Sequence, residues 1–307
     1  MYLQTRLGGS VLRVIDLQQE LAYYQKLGMK PLRKFRENGY ETIELVIGVE
    51  DNLISEIDNP PIMTLMHDPE ASRPYHNSAG LFHFAILTPD RKSLASTFVY
   101  LENQGVKFTG FADHLVSESL YLQDPEDNGI EIYCDRPSEE WQFDKNGHIQ
   151  MDTIALNLES LLSELYNGDD SMVTKNFSSQ LRPFPSGGTI GHIHLKVTNL
   201  ADSTNFYREI LGFDLMQSMQ RASFLSTMGY HHRLALNTWI SHGGASLTGK
   251  EAGLEHFTIH ISDREFYEQV LKKVYEASIH KINSNEVIVT DPDGIRMKLI
   301  YNSQLFQ

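Results

Sequence analysis

The side chains in this sequence that can bind a metal ion recur at matching places in repeated segments. The first residues of the four segments are, in chain order, Gly9, His83, His192 and His256. After the second segment, the run DPEDNGIE ends in Glu131, and after the fourth, DPDGIRMK ends in Lys298. Imidazole and carboxylate groups are ligands for divalent first-row metals, so these residues predict metal chemistry.

Among the pairings one–two, three–four, one–four and two–three, only the last brings two imidazoles and a carboxylate together. The second and third segments supply His83, Glu131 and His192. The third and fourth supply two imidazoles, but Lys298 would place an ammonium group where a carboxylate is needed, and a metal ion repels a cation. Pairing one with two leaves Gly9 where a second histidine is needed, and pairing one with four leaves only His256. A strand histidine taken alone is more often structural, so the prediction depends on all three residues together, and His256 is interpreted as structural.

Two histidines and one carboxylate on one face of an ion leave coordination positions open. Non-haem Fe(II) enzymes use such a face to bind a substrate and O₂ together. The sequence therefore predicts oxygenase chemistry at a metal ion held by His83, His192 and Glu131. The ion is expected to be Fe(II) or, because both ions accept these ligand types, Mn(II).

The repeated segments predict a βαβββ module. Each begins with a short apolar strand, continues through a polar turn into an amphipathic helix, and leads to short strands rich in β-branched residues. In the third segment, Leu195 and Val197 alternate with polar residues, as in a half-buried strand. Asn199 or Asp202 can cap the helix that follows, and Gly212 can end it. Asp-Pro turns separate the last two strands of the second and fourth segments.

Four such modules predict an α+β fold, in which the βαβββ modules form two paired half-barrel domains with helices outside. The first domain is predicted at 1–135, with modules one and two, and the second at 189–303, with modules three and four. Residues 136–188 are predicted to be a linker with one helix, Leu158–Tyr166, and a tail rich in Pro, Gly and Ser. Open sheet edges of paired half-barrels would permit a homo-oligomer.

Composition limits the kinds of partner. The net charge of −14 argues against a phosphate-binding surface, and no segment has the roughly 18 consecutive apolar residues that span a membrane. We therefore expect neither a nucleic acid nor a membrane as partner. The N-terminal MYLQTRLGGSVLRV lacks the features of a signal peptide, and the single cysteine, Cys134, cannot form an intramolecular disulfide. A cytoplasmic protein is expected.

Four stretches of the sequence resemble a known family. They are LFHFAILTPDR (81–91), HLVSESLYLQDPEDNGIEIYCDRP (114–137), GHIHLKV (191–197) and GYHHRLALNTW (229–239). Together they are similar to the catechol 2,3-dioxygenases, type I extradiol dioxygenases of the vicinal-oxygen-chelate superfamily that also contains glyoxalases and bleomycin resistance proteins. The resemblance covers nearly the whole chain. It implies an iron enzyme that opens a catechol or hydroquinone-type aromatic diol with O₂.

The resemblance also implies roles for residues outside the triad. Extradiol dioxygenases carry a tyrosine ten residues before the glutamate ligand, which is Tyr121 here, and related enzymes place a basic group where His114 stands. An acid-base histidine lies in a His-His pair, here His231-His232, and His232 is favoured. Two consecutive strand residues point to opposite faces. One histidine of this pair is therefore expected to line the pocket and the other to be exposed.

The alternation of strand residues adds His194, which lies two residues after His192 on the same face and can contact a substrate or orient a ligand. The better-known extradiol enzymes take all three ligands from modules three and four, whereas Lys298 breaks that site here. The site is therefore predicted between modules two and three. One alternative is a glyoxalase-like metal-dependent isomerase, which would need a second carboxylate that the run 229–239 does not offer. The other is a metal-free small-molecule-binding protein of the same superfamily.

Overall fold

The protein is described from a computed structural model, and the description covers residues 5–48, 61–165, 183–184, 188–274 and 279–303. Within these ranges the chain forms two curled sheets, one of eight strands and one of nine, with helices packed against them. The predicted α+β class and the half-barrel architecture are therefore confirmed. No helix of the described ranges is long and apolar enough to cross a membrane.

Modules one and two each contain a strand, a helix and three further strands, as predicted. The elements of module one are β1 (Thr5–Val14), α1 (Leu17–Lys26), β2 (Lys30–Glu37), β3 (Tyr40–Val46) and β4 (Met63–His67). Those of module two are β5 (Gly80–Leu87), α2 (Arg91–Asn103), β6 (Gly110–Asp113), β7 (Ser117–Gln123) and β8 (Gly129–Asp135). The connection to module three adds β9 (Ile154–Ala155) and α3 (Leu158–Ser163).

Modules three and four repeat the same order of elements. Module three contains β10 (Thr189–Lys196), α4 (Leu200–Asn205) with a π-helical turn after it (Phe206–Ile210), β11 (Asp214–Met219), β12 (Ala222–Ser226) and β13 (Leu234–Asn237). Module four contains β14 (Gly253–Ile261), α5 (Arg264–Lys273), β15 (Ile279–Lys281), β16 (Glu286–Thr290) and β17 (Arg296–Tyr301). The predicted βαβββ pattern is confirmed in all four modules.

The strands of every module lie in the order first, fourth, third, second, and the first strands of two modules meet in the middle of each sheet. β1 pairs antiparallel with β14, and β10 pairs antiparallel with β5. One sheet therefore combines modules one and four, and the other combines modules two and three. Each sheet thus combines one module from the first predicted domain with one module from the second. The domain boundaries at 1–135, 136–188 and 189–303 stay a prediction.

Local sequence explains where the helix of module three begins and ends. The Asn199 side chain accepts hydrogen bonds from the N–H groups of Ala201 and Asp202 at the start of α4. Gly212 follows the π-helical turn with a φ of +69°, a left-handed conformation that favours glycine. Asn199, one of the two predicted caps, and the predicted stop at Gly212 are therefore confirmed.

The segment between modules two and three adds a strand to the nine-stranded sheet and residues to the cavity wall. β9 pairs with β6 at the edge of the nine-stranded sheet, and α3 packs on α2. The helix begins at Leu158, as predicted, while its predicted end at Tyr166 lies outside the described residues. Met151 and Asp152 of the same segment line the cavity over the nine-stranded sheet. Part of the predicted linker therefore helps to form that cavity.

Two buried hydrogen bonds join modules that follow each other in the chain. The Tyr24 hydroxyl of α1 donates to Asp124 Oδ2 at 2.7 Å, and Tyr207 donates to Asp291 Oδ2 at 2.9 Å. Both aspartates begin the predicted Asp-Pro turns, and each also accepts from a backbone N–H of its own turn. Burial raises the pKa of Asp291 to about 7. These donors therefore offset the cost of placing carboxyl groups in an apolar interior.

Removing the Tyr24 hydroxyl is expected to destabilise the fold. Tyr24→Phe leaves the buried Asp124 carboxyl short of one donor, and we expect a loss of about 2 kcal/mol in the free energy of unfolding. Urea denaturation followed by circular dichroism measures this loss. Tyr23→Phe is the matched control, because the buried Tyr23 hydroxyl has no hydrogen-bond partner within the described ranges. An equal loss in both variants would contradict the role given to the hydrogen bond.

Candidate metal centre and cavity

Three potential ligands converge on the middle of the nine-stranded sheet. His83 lies on β5, Glu131 on the neighbouring β8, and His192 on β10 at the other side of β5. Glu131 and His192 pair with the same residue of β5, Ala85, and His83 lies two residues before it on the same face. The small side chain of Ala85 is buried and leaves room for the three longer side chains around it.

The ligand atoms lie close to one another. Glu131 Oε2 is 2.9 Å from His83 Nε2 and 3.1 Å from His192 Nε2, and the two Nε2 atoms are 3.2 Å apart. Three ligands at right angles around one ion, each bonded at about 2.1 Å, lie about 3 Å from one another. All three side chains are buried. The residues therefore fit a divalent metal ion, and no other cluster of this kind occurs within the described ranges.

Neighbouring groups set the charge of the triad. Ser119 Oγ donates to Glu131 Oε1 at 2.6 Å, which leaves Oε2 for a metal ion. Burial raises the pKa of Glu131, but the charges and hydrogen bonds of the two imidazoles outweigh burial and hold that pKa well below its usual range. Burial lowers the pKa of His192 to about 4, although the charge of Glu131 opposes the change. At neutral pH the carboxylate is therefore charged and His192 neutral, the forms that bind a metal.

A tyrosine and a histidine lie beside the triad. Tyr121, on β7, pairs across the sheet with Glu131, and its hydroxyl is 2.6 Å from His114 Nε2. His114 Nδ1 is 2.9 Å from the Asp152 carbonyl oxygen, which can only accept. In neutral His114, Nδ1 therefore carries the proton and Nε2 accepts from Tyr121. Burial and the charge of Glu131 raise the pKa of Tyr121 well above its usual value, so Tyr121 stays a phenol.

A cavity of about 910 Å³ opens over the triad. All of the predicted site residues except His231 line it, namely His83, His114, Tyr121, Glu131, His192, His194 and His232. Apolar side chains form much of the remaining wall, among them Phe82, Met151, Phe224, Trp239 and Leu247. A volume of this size suits a small organic molecule, and the aromatic wall suits a ring.

Comparison with known proteins identifies the family. The family model for the Glyoxalase/Bleomycin resistance protein/Dioxygenase superfamily matches residues 6–132 and 189–299. The chain belongs to this superfamily. A catechol-2,3-dioxygenase of Bacillus subtilis (strain 168) is 35% identical to this superfamily member over 293 residues, which cover 94% of each chain. The resemblance found in the sequence is therefore confirmed.

Solved structures share the fold of this superfamily member. Glyoxalase I from Zea mays has a TM-score of 0.55 at 20% identity, with 98% of this chain and 93% of that chain covered. The cppA protein from Streptococcus pneumoniae TIGR4 has a TM-score of 0.54 at 11% identity, with 98% of this chain and 99% of that chain covered. At these identities the two structures support the fold alone.

In this superfamily member both histidines of the His231-His232 pair are buried, so the expectation that one is exposed is wrong. The pair lies in the loop before β13, where strand alternation does not apply. His232 lines the cavity, and its ring centroid is 4.2 Å from that of His192. His231 turns to Asp135, whose Oδ1 is 2.9 Å from His231 Nε2, while the Nδ1 atoms of the pair are 2.7 Å apart.

The contact with Asp135 determines which ring nitrogens carry protons. A carboxylate only accepts, so His231 Nε2 donates to Asp135. Burial lowers the pKa of His231, and in neutral His231 the Nδ1 atom then accepts from His232 Nδ1. His232 keeps Nε2 as its unprotonated nitrogen. Asp135, which the sequence alone did not indicate, therefore orients the cavity histidine through His231.

His194 is held by an asparagine that the sequence predictions omitted. Asn237 Oδ1 accepts from the Trp239 N–H at 3.1 Å, so the Asn237 amide nitrogen donates to His194 Nε2 at 3.0 Å. Neutral His194 therefore carries its proton on Nδ1, and burial lowers its pKa well below the usual value. Phe82 and His83 contact the ring edge-on, with centroids at 4.9 and 4.8 Å. A polar residue ending the apolar run LALN is the signal that points to Asn237.

The eight-stranded sheet has a different set of side chains at the equivalent place. Lys298 pairs with Thr258, two residues after His256, which is the register that Glu131 has in the other sheet. Lys298 Nζ forms an ion pair with Glu286 Oε2 at 2.9 Å. Burial, assisted by nearby cations, lowers the pKa of His256 to about 4. The side chains at this place therefore pair with each other and supply no carboxylate beside the histidine.

Proposed function

We propose that the protein is an extradiol ring-cleaving dioxygenase that opens a catechol or hydroquinone-type aromatic diol with O₂. The observation that carries this proposal is the buried triad of His83, His192 and Glu131 beneath a cavity with an aromatic wall. Two imidazoles and one carboxylate leave positions for both diol oxygens and for O₂. The name of the Bacillus relative, catechol-2,3-dioxygenase, supports the same reaction.

The proposed cofactor is Fe(II), or Mn(II), which accepts the same ligands. When bound, the metal ion would supply the Lewis acidity that lowers the pKa of a phenol and the redox chemistry toward O₂. A glyoxalase-type isomerase would instead need a second carboxylate, and none joins His83, Glu131 and His192 within the described residues. The ligand set therefore favours the dioxygenase over the isomerase.

His232 is the proposed general base. Its Nδ1 is engaged by His231, so Nε2 is the nitrogen left to accept a proton from a diol in the cavity. Loss of that proton increases the electron density of the ring, and the resulting imidazolium can return the proton to the product. Asp135 lies at the far end of this hydrogen-bonded chain and stabilises the charged form.

Tyr121 and His114 form a second pair that can move a proton. The Tyr121 hydroxyl lines the cavity, and its proton lies in the hydrogen bond to His114 Nε2. When His114 takes up a proton, Nε2 becomes a donor, and the Tyr121 proton is free to point at an oxygen atom of the substrate. This pair, together with the Nδ1–H group of His194, can therefore stabilise negative charge that develops on oxygen.

The reaction breaks the carbon–carbon bond beside the diol, and both atoms of O₂ end in the product. Catechol would give a yellow hydroxymuconic semialdehyde without an external reductant. The test is anaerobic reconstitution with Fe(II), followed by catechol or hydroquinone in air-saturated buffer. We expect O₂ consumption at the electrode together with the yellow product from catechol. Protein that holds stoichiometric iron and consumes no O₂ with any aromatic diol would contradict the proposal.

A further inference from the structure

Lys196 is a cation in the cavity that the proposed chemistry does not use. It lies on β10, on the same face as His192 and His194, and its half-buried side chain lines the cavity. At about 3.3 Å per residue along a strand, its Cα atom is roughly 13 Å from that of His192. The strand thus presents both a triad residue and, four residues later, an ammonium group to the same cavity.

No side chain neutralises Lys196 within the described part of the chain. Its ammonium group makes no hydrogen bond or ion pair there, and burial lowers its pKa with no carboxylate to oppose the change. On the adjacent strands its pairing partners are Gly80, which has no side chain, and Asn237. The Asn237 amide is already bonded to His194 and to the Trp239 N–H.

Three glutamates along the cavity have other partners. Glu126 accepts from backbone N–H groups just after β1. Glu251 accepts from the N–H groups of its own turn. Glu255 forms ion pairs with Arg13 and Arg296. A half-buried ammonium group without a counter-ion is unfavourable. Lys196 is therefore placed to bind an anion that arrives with the ligand.

We propose that Lys196 binds an anionic substituent on the substrate ring, so that the preferred substrate class is an aromatic diol that carries a carboxylate. This inference rests on the proposed function, because the diol fixes where the ring lies. The cavity of about 910 Å³ has room for a substituent beyond one ring. A charge-assisted hydrogen bond in a partly desolvated site would favour the acid over a neutral analogue by about 10- to 100-fold.

The test compares Lys196→Met, which keeps the apolar stem without the charge, with Lys196→Arg, which keeps the charge. Iron-loaded wild type and variants are assayed with 3,4-dihydroxyphenylacetate, with its methyl ester and with catechol. We expect the wild type to prefer the acid over the ester. Lys196→Met should lose about 10- to 100-fold in kcat/KM for the acid alone, and Lys196→Arg should keep most of the preference. Anaerobic Kd values from the quenching of tryptophan fluorescence, to which Trp239 in the cavity wall contributes, should follow the same order.

The outcomes separate this inference from the proposed function. If the wild type cleaves catechol but has the same kcat/KM for the acid and the ester, the role proposed for Lys196 is wrong and the proposed dioxygenase activity is supported. The same conclusion holds if Lys196→Met lowers kcat/KM equally for all three compounds. If no diol is cleaved while the acid binds more tightly than the ester in a Lys196-dependent way, the dioxygenase fails and the anion site stands. Absence of both cleavage and selective binding overturns both.

Discussion

The His83→Ala variant is expected to lose its metal ion together with at least about 1,000-fold of the ring-cleaving activity. His83 Nε2 lies 2.9 Å from Glu131 Oε2 and is one of the three proposed ligand atoms. The remaining pair, Glu131 and His192, would hold a divalent ion too weakly for it to survive desalting. Iron content after anaerobic reconstitution and desalting, followed by O₂ uptake with catechol, measures both losses on one sample.

His256→Ala is the matched control for this loss. His256 has the equivalent position in the eight-stranded sheet, where Lys298 stands in the place of the carboxylate. Iron content and activity should therefore stay at wild-type values. If His83→Ala kept its iron, or if His256→Ala alone lost it, the metal site would not be in the nine-stranded sheet.

Replacing His232 by glutamine is expected to lower kcat by about 100- to 10,000-fold while the iron content stays unchanged. The variant keeps a side chain of similar size beside His192 but removes the proposed base, whose side chain lines the cavity. In the wild type, kcat/KM should fall at low pH as His232 becomes protonated, and this fall should disappear in the variant. Steady-state O₂ uptake across pH, with iron measured on the same preparations, tests the assignment.

The His231→Gln variant distinguishes the role of His231 from that of His232. His231 contacts Asp135 and His232 but does not line the cavity, so it acts only through its neighbour. We expect a loss of about tenfold in kcat, with the low-pH fall still present but shifted. A larger loss in His231→Gln than in His232→Gln would exchange the two roles.

The positions of the triad were predictable because a repeat fixes equivalent places. His83 and His192 are each the fourth residue of the first strand of their module, and strand alternation puts every second side chain on one face. Glu131 follows the Asp-Pro turn that starts the last strand of module two. The residue types then selected modules two and three, because Gly9 offers no ligand in module one and Lys298 takes the place of the carboxylate in module four. The chemical roles of these residues stay predictions until the variants are measured.

Residues that act through distant contacts were not predictable in the same way. Ser119, Asp135 and Asn237 contact site residues that lie 12, 96 and 43 positions away in the chain. The run LALN marks Asn237 as a polar residue in an apolar strand, but no local pattern tells which distant residue such a side chain contacts, because only the completed sheet brings the two together. The prediction that one histidine of the His231-His232 pair is exposed was wrong for another reason. Alternation of faces assumes an extended strand, whereas the His231-His232 pair lies in a loop where the two rings bond to each other.

The pairing of β1 with β14 affects how the chain is made. Arg13 and Glu255, which join these two strands, are 242 positions apart. During translation, modules two and three can close their sheet while β1 still lacks its partner, and module four arrives last. Pairing of two strands that are so far apart in the chain is slow, and an unpaired strand edge promotes aggregation. The interval between synthesis of the two strands is therefore when this chain depends most on chaperones.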